Sequence, residues 1–271
     1  MISCRMVKDL NDPELRVYQG LHEAQLKHYY EPHGGLFICE SPKVIRRAFR
    51  AGYEPVSLLL EDVLMKEENL DILAKCEGIP IYSAPKEVLT QLTGYYLTGG
   101  MLCAMKRKEL PSVQVLCKDA HRIAVLMDIE NPTNIGAIFR NAAAMELDAV
   151  LLTSGCSDPL YRRAARVSVG TVFQIPWTFF DETENVSAII KDMGFRVAAL
   201  ALSPLAEAID VSSAKEEERL AILLGNEEHG LDEETIQNSD YTVIIPMANG
   251  VDSLNVAAAS AIAFWELREN Q

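Results

Sequence analysis

Four stretches in the second half of the chain are apolar at nearly every position: 123–127 (IAVLM), 149–152 (AVLL), 220–224 (LAILL) and 242–245 (TVII). A strand with one wet face alternates apolar and polar residues, whereas a run without alternation has to be covered on both faces. Further strands read at 172–175 and 196–202, with helical segments between. The pattern predicts a mostly parallel sheet in a doubly wound α/β domain. Such sheets bind ligands beyond the carboxyl ends of their strands. The residues that follow each run are therefore the ones to search for function.

The first half alternates as well, over shorter elements. Strands are expected at 35–39, 56–60, 79–82 and 101–105. Helices begin at Asp12-Pro13, Ser41-Pro42, Asn69 and Lys86, and glycines at 52, 78 and 94 close the last three. The stretch KRKELPSVQVLCKDAHR at 106–122 has a basic start, a proline and no clear period, and reads as a connection between domains. The expected organisation is a small α/β domain over 1–106, a linker over 107–119 and the larger α/β domain over 120–271.

With 271 residues, 49% of them apolar, both domains can bury cores of their own. The chain has no 18-residue apolar run and no charged n-region followed by an apolar h-region, so neither a membrane span nor a secretory signal is expected. Cys4, Cys39, Cys76, Cys103, Cys117 and Cys156 are scattered, without a CxxC pair or a histidine at metal-ligand spacing. They read as free thiols of a cytoplasmic protein, and no metal is expected. The net charge of −14 argues against a surface coated with basic residues for non-specific nucleic-acid binding. It leaves local patches open: Arg46, Arg47 and Arg50; Lys106, Arg107 and Lys108; Arg162, Arg163 and Arg166.

Three segments that follow strands carry the chemistry: MDIENPTNIGAIFRNAAAM at 127–145, AILLGNEEHGLDEE at 221–234, and YTVIIPMANGVDSLNV at 241–256. None is a phosphate-cradling GxGxxG or GxxxxGK[ST], which weakens a nicotinamide-dinucleotide reading. Taken singly, each residue has an ordinary explanation. Asn134 and Ser253 stand where helix N-caps belong, Arg140 is a surface cation, Glu227 a solvated charge, and Gly225 and Gly230 turn glycines.

Together and in this order the segments resemble the signature of the SpoU (TrmH-like) branch of the SPOUT methyltransferases. That pattern is Asn-x-Gly-x-x-x-Arg, then Gly-x-Glu-x-x-Gly, then Ile-Pro-Met with Ser-Leu-Asn-Val. Here it falls on Asn134, Gly136 and Arg140; on Gly225, Glu227 and Gly230; and on Ile245-Pro246-Met247 with Ser253-Leu254-Asn255-Val256. The resemblance covers about 120–271. The stretch GLFICESPKVIRRAF at 35–49 is similar, less specifically, to the ribosomal-protein-like substrate-binding domain that many members carry.

The resemblance implies a C-terminal segment threaded into a trefoil knot, a homodimer paired through that region, and S-adenosyl-L-methionine as cofactor. It also implies methyl transfer to a ribose 2′-hydroxyl of RNA, with ribosomal RNA favoured over transfer RNA because of the added first domain. Carried over residue by residue, the catalytic set is Arg140, Asn134, Glu227, Ser253 and Asn255. The cofactor wall is Thr153, Leu224, Gly225, Asn226, Gly230, Ile245, Met247 and Leu254. Arg140 has two open roles: a base with a depressed pKa, or a cation that binds the target phosphate and stabilises the developing alkoxide. The second is preferred, because a guanidinium is a poor base. Glu228, His229 and Asn249-Gly250 depart from the family's usual residues and leave the substrate contacts open. A catalytically silent, ribosome-associated RNA-binding protein is the competing class.

Overall fold

A computed structural model describes residues 4–7, 11–19, 23–27, 34–94, 96–97, 99–181, 185–204 and 206–269. The chain forms two compact units, one of residues 1–109 with 160–173, the other of 110–159 with 174–271.

The first unit holds, in chain order, β1 (Arg5–Met6), α1 (Arg16–Gln19), α2 (Glu23–Lys27), β2 (Leu36–Glu40), α3 (Pro42–Arg50), β3 (Pro55–Glu61), α4 (Leu70–Lys75), β4 (Ile81–Ala84), α5 (Lys86–Thr93) and β5 (Met101–Lys106). Its five-stranded sheet runs β1-β4-β3-β5-β2, with β5 antiparallel to both neighbours. The expected core face of α3 (Val44, Ile45, Ala48, Phe49) is buried. Ser41 stands at its N-cap, yet its side chain makes no capping bond and its backbone lies at φ 84°.

The second unit starts with α6 (Val113–Leu116), β6 (Arg122–Leu126), α7 (Pro132–Ala144) and β7 (Ala149–Leu152). The arginine-bearing helix α8 (Arg162–Val167) follows in sequence but groups with the first unit. There Arg166 reaches the buried carboxylate of Glu40 at 3.3 Å, Arg47 donates to the Val169 carbonyl at 2.8 Å, and Phe173 stacks against Phe37 and Tyr53. The second unit continues with β8 (Trp177–Phe179), α9 (Val186–Asp192), β9 (Arg196–Leu200), β10 (Glu207–Ala208), β11 (Leu220–Leu224), α10 (Glu233–Gln237), β12 (Tyr241–Ile244) and α11 (Val256–Glu266).

Its seven strands form one sheet in the order β10-β12-β9-β11-β6-β7-β8, and every pairing is parallel. Every residue of β6, β7 and β11 is buried, as their unbroken apolar runs require. On one face Val125, Leu151, Val197 and Leu223 pack with Val186 and Ile190 of α9. α7 and α11 pack against each other, and α11 also lies on β11. Among the described residues no helix is long and apolar enough to cross a membrane.

Three sequence expectations need correction. The strand expected at 172–175 is a 3-10 turn, Thr171–Phe173, and the strand itself begins at Trp177. Pro176 has no N–H to give a ladder, so pairing with β7 starts beyond it, while Phe173 is taken up by the aromatic cluster of the first unit. α7 starts at Pro132 and α11 at Val256, so the N-caps are Asn131 and Asn255 rather than Asn134 and Ser253.

Both ends of α11 are fastened. Asn255 accepts from Ala257 N at 3.0 Å at its start. At its far end Arg122, only 4% exposed, donates to the carbonyls of Leu267 (3.0 Å), Glu218 (3.0 Å), Lys215 (3.2 Å) and His121 (3.3 Å). Replacing Arg122 by Met keeps the stem and removes the guanidinium donor from all four carbonyls, of which that of His121 still accepts from Leu220 N. Arg122→Met is expected to lower stability by about 2–4 kcal/mol, read from guanidinium unfolding; a loss of less than about 1 kcal/mol would show the carbonyls to be solvated instead.

Candidate functional site

β11 hands over to a loop, Gly225 to Gly230, that closes on itself. Asn226 N donates to Gly230 O at 3.1 Å and Gly230 N to Asn226 O at 3.0 Å. Gly225 is required there, since a Cβ would sit 2.3 Å from the Gly230 carbonyl carbon. Gly230 takes φ 70°, a left-handed conformation that glycine adopts without strain. Inside the loop Asn226 Oδ1 accepts from the N–H groups of Glu228 (2.8 Å) and His229 (3.2 Å). Asn226 Nδ2 donates to the Asp128 carbonyl at 2.7 Å, which pins the loop to the end of β6.

Glu227 reaches from this loop to the start of α7. Its carboxylate accepts from Glu130 N (3.3 Å), Asn131 N (3.2 Å) and Asn134 Nδ2 (2.9 Å). An anion beside the unpaired N–H groups of a helix start is favourable on both hydrogen-bond and dipole grounds. Asn134, buried at 7% exposure, then accepts on Oδ1 from Asn255 Nδ2 at 3.1 Å. An ionised carboxylate only accepts, so it fixes which way each amide faces, and the chain of bonds ends with Asn255 Oδ1 on the N-terminus of α11. One turn pair further on, Asn141 Nδ2 donates to Ala257 O (2.8 Å) and Ser260 Oγ (2.9 Å). The three motif segments, more than a hundred residues apart at their extremes, are thus one hydrogen-bonded assembly.

Beside this assembly, at the carboxyl ends of the adjacent strands β12, β9 and β11, lies a cavity of about 460 Å³. Leu224, Gly225, Asn226, Glu227 and Gly230 form one wall. Ile245, Met247, Ser253, Leu254 and Asn255 form another, and Leu200 to Leu202 a third. Its charged side chains are the carboxylates of Glu227, Glu228 and Asp252, with His229 beside them; no lysine or arginine lines it. The backbone N–H groups of Ile245, Met247 and Leu254 donate to no acceptor among the described residues.

Thr153 and Arg140 do not line this cavity. Thr153, 2% exposed, accepts from Asp128 N (2.9 Å) and donates to Asp128 Oδ1 (2.6 Å). It holds the loop after β6, where Asp128 sits at φ 55°. Cys156 supports the same loop, donating to Leu126 O and accepting from Ile129 N; burial pushes its thiol up to about 11, so it acts as a neutral structural group. Arg140 is exposed and makes no hydrogen bond or ion pair among the described residues. Six residues beyond Asn134, it lies about 120° around the helix from the face that meets α11.

Several of the basic side chains have structural partners. Arg46 pairs with Asp71 (2.7 Å) and bonds to Glu68 O and Asn69 Oδ1; Lys106 pairs with Glu54 (3.1 Å); and Lys108 donates to Ala51 O over the Tyr53 ring. Among the described residues no three His, Cys, Asp or Glu side chains cluster at metal-binding range. The sequence reading missed Asn131, Asn141, Asp252 and the exit of β9. Asn141 carried a signal, one heptad from Asn134 on an otherwise apolar face. The exit of β9 carried none, because its place beside β11 and β12 is a fact of strand order.

An all-parallel sheet with a ligand-sized cavity at its strand ends defines an α/β protein that binds a small molecule where adjacent strands finish. This chain belongs to the SpoU rRNA Methylase family, whose pattern matches residues 121–265. It is 36% identical over 263 residues to an uncharacterised tRNA/rRNA methyltransferase of Mycobacterium bovis, covering 96% of this chain and 90% of that one. It is 28% identical over 240 residues to the 23S rRNA guanosine 2′-O-methyltransferase RlmP of Bacillus subtilis, covering 86% and 88%. In fold it matches an AdoMet-bound rRNA methyltransferase of Sinorhizobium meliloti with a TM-score of 0.81 at 21% identity, over 97% of both chains.

The hydrogen-bonded assembly has a sharp test in Asn134. Asn134→Ala removes one donor to Glu227, whereas Asn134→Asp sets a second carboxylate about 3 Å from the first, where like charges repel. Thermal unfolding at pH 7.5 is expected to show the Asp variant less stable than the Ala variant by at least about 1 kcal/mol. The reverse order would mean that Glu227 is not the acceptor that organises the site.

Proposed function

We propose that this chain transfers a methyl group from S-adenosyl-L-methionine to a ribose 2′-hydroxyl of RNA, with ribosomal RNA as the favoured substrate. The observation that carries this reading is the joining of all three motif segments, through Glu227, Asn134 and Asn255, at the edge of a single strand-end cavity. The cavity suits the cofactor in size, since small-molecule sites run from about 300 to 1,000 Å³. Its free backbone N–H groups at Ile245, Met247 and Leu254 offer donors for an adenosine edge. Carboxylates without a lysine or arginine suit a sulfonium cation and disfavour the pyrophosphate of a nicotinamide dinucleotide.

When bound, S-adenosylmethionine supplies an electrophilic methyl group. The chain's own residues hold the geometry. Glu227, occupied by three donors, is an organiser rather than a free base. Ser253 and Asn255 stand in the cavity wall, where they would orient the ribose hydroxyl. Arg140, exposed and without a partner among the described residues, is read as the group that binds the target phosphate and stabilises charge on the ribose oxygen.

A homodimer, a knotted C-terminal segment, an RNA-binding role for the first unit and a cytoplasmic setting belong to the same reading. In support, β12 enters the sheet between β9 and β10 and α11 then docks on α7. Ile262 and Trp265 remain exposed on α11 (36% and 51%), and the six cysteines are unpaired. Because Arg140 stands apart from the cavity of its own chain, a dimer would let it serve the partner's site. For the substrate, the family's description and the name of RlmP point to ribosomal RNA, while the mycobacterial relative's name leaves transfer RNA open.

Incubating the protein with methyl-labelled S-adenosylmethionine and bulk ribosomal or transfer RNA, then mapping ribose methylation by mass spectrometry, tests the reading directly. Arg140→Ala is expected to lower transfer at least about 100-fold, with cofactor affinity by calorimetry kept within about threefold. Loss of cofactor binding would move Arg140 into the cofactor site. Absence of transfer by the unaltered protein to either RNA would favour a silent RNA-binding protein.

A further inference from the structure

Methyl transfer changes the charge of the cofactor, and the cavity wall carries charged side chains of one sign; the inference rests on the function proposed above. S-adenosylmethionine carries a sulfonium, an ammonium and a carboxylate, and so one net positive charge. S-adenosylhomocysteine, left after transfer, carries none. In the transfer the electron pair of the S–CH3 bond stays on sulfur, the ribose oxygen gains the methyl, and the hydroxyl proton leaves to solvent.

Of the three carboxylates lining the cavity, Glu227 is occupied by the start of α7. Glu228 and Asp252 lie on separate loops, those after β11 and β12, and both are exposed. Their side chains take no hydrogen bond or ion pair among the described residues. The place of Glu228 is nevertheless fixed. Glu228 sits in the loop closed by Asn226 and Gly230, and its own N–H is held by Asn226 Oδ1 at 2.8 Å. No lysine or arginine in the wall offsets them, and His229 is the remaining titratable side chain there. A folded chain that keeps two uncompensated anions in a ligand cavity has a preference for cations in that cavity.

We propose that Glu228 and Asp252 form an electrostatic selectivity element that holds the cationic cofactor in preference to the neutral product, so that transfer itself loosens the product. The two residues discriminate by charge and not by shape. Their contribution is therefore separable from that of the backbone donors and the apolar wall, which treat cofactor and product alike.

Calorimetric titration of the full chain with S-adenosylmethionine, S-adenosylhomocysteine and sinefungin, whose amine replaces the sulfonium methyl, tests this. Glu228→Gln and Asp252→Asn are each expected to lower S-adenosylmethionine affinity about three- to tenfold, and together multiplicatively. S-adenosylhomocysteine affinity should move less than about twofold, and sinefungin should follow the cationic cofactor. Glu228→Asp, which keeps the charge, should retain the preference. Raising salt should weaken S-adenosylmethionine binding to the unaltered protein more than to the double variant. Equal loss of cofactor and product affinity would assign the two residues a structural role and overturn the proposal, as would unchanged affinity for both. An unaltered protein that binds neither compound would instead overturn the proposed function, and this inference with it.

Discussion

The carboxylate of Glu227 at the start of α7 is the contact on which the site depends. Asn131 Oδ1 caps Thr133 N in the first turn, and the N–H groups of Glu130 and Asn131 just before it have no partner within the helix. The chain fills that need from another strand's loop. One ionised group then does three jobs: it closes the helix start, orients Asn134, and through Asn134 and Asn255 orients the start of α11. The alternatives to these bonds are costly, because Asn134 is buried and an amide left unpaired there would have no water to turn to. That cost makes the assembly close to all-or-none, and it places the β11 loop and the β12 exit on opposite sides of one cavity.

The parts of the fold legible in the sequence were those where burial leaves a mark on every residue. The runs at 149–152 and 220–224 correspond to β7 and β11 residue for residue, because strands covered on both faces have no polar position to blur their ends. Short or half-exposed elements left no such mark. The edge strand β10 has two residues, and helix α10 buries none of its own. Helix starts were misplaced for a related reason. Two asparagines lie within three residues of each other at 131 and 134, and spacing alone does not say which caps and which faces inward. Their roles are settled by Glu227, which comes from a segment about a hundred residues away.

The candidate site was legible in its members more than in their roles. Glycine at 225 and the polar groups at 227, 253 and 255 were implied by the resemblance to the SpoU family, and all four line the cavity. Asn226 was read as a cofactor contact; its side chain is used up inside the loop and on the Asp128 carbonyl. Thr153 likewise spends its hydroxyl on Asp128. Both cases have one cause. A polar residue beside a site is as often its scaffold as its surface, and only the partner's position in space decides between them.

The acidity of the chain bears on how RNA would be met. A net charge of −14 repels a polyanion at long range, but at physiological salt such repulsion fades beyond about 8 Å. Contact-range cations then matter more than the total. Arg46 is held by Asp71, and Arg47 by the Val169 carbonyl, so neither is free to neutralise phosphate without breaking a bond that supports the fold. Arg140, exposed and without a partner among the described residues, carries no such obligation. A chain that commits arginines such as Arg46 and Arg47 to its own structure keeps fewer cations with which to attract RNA at long range. Association on these terms gains little from steering and relies on shape and short-range contact, which suits an enzyme that must select one ribose in a large folded RNA rather than bind RNA at large.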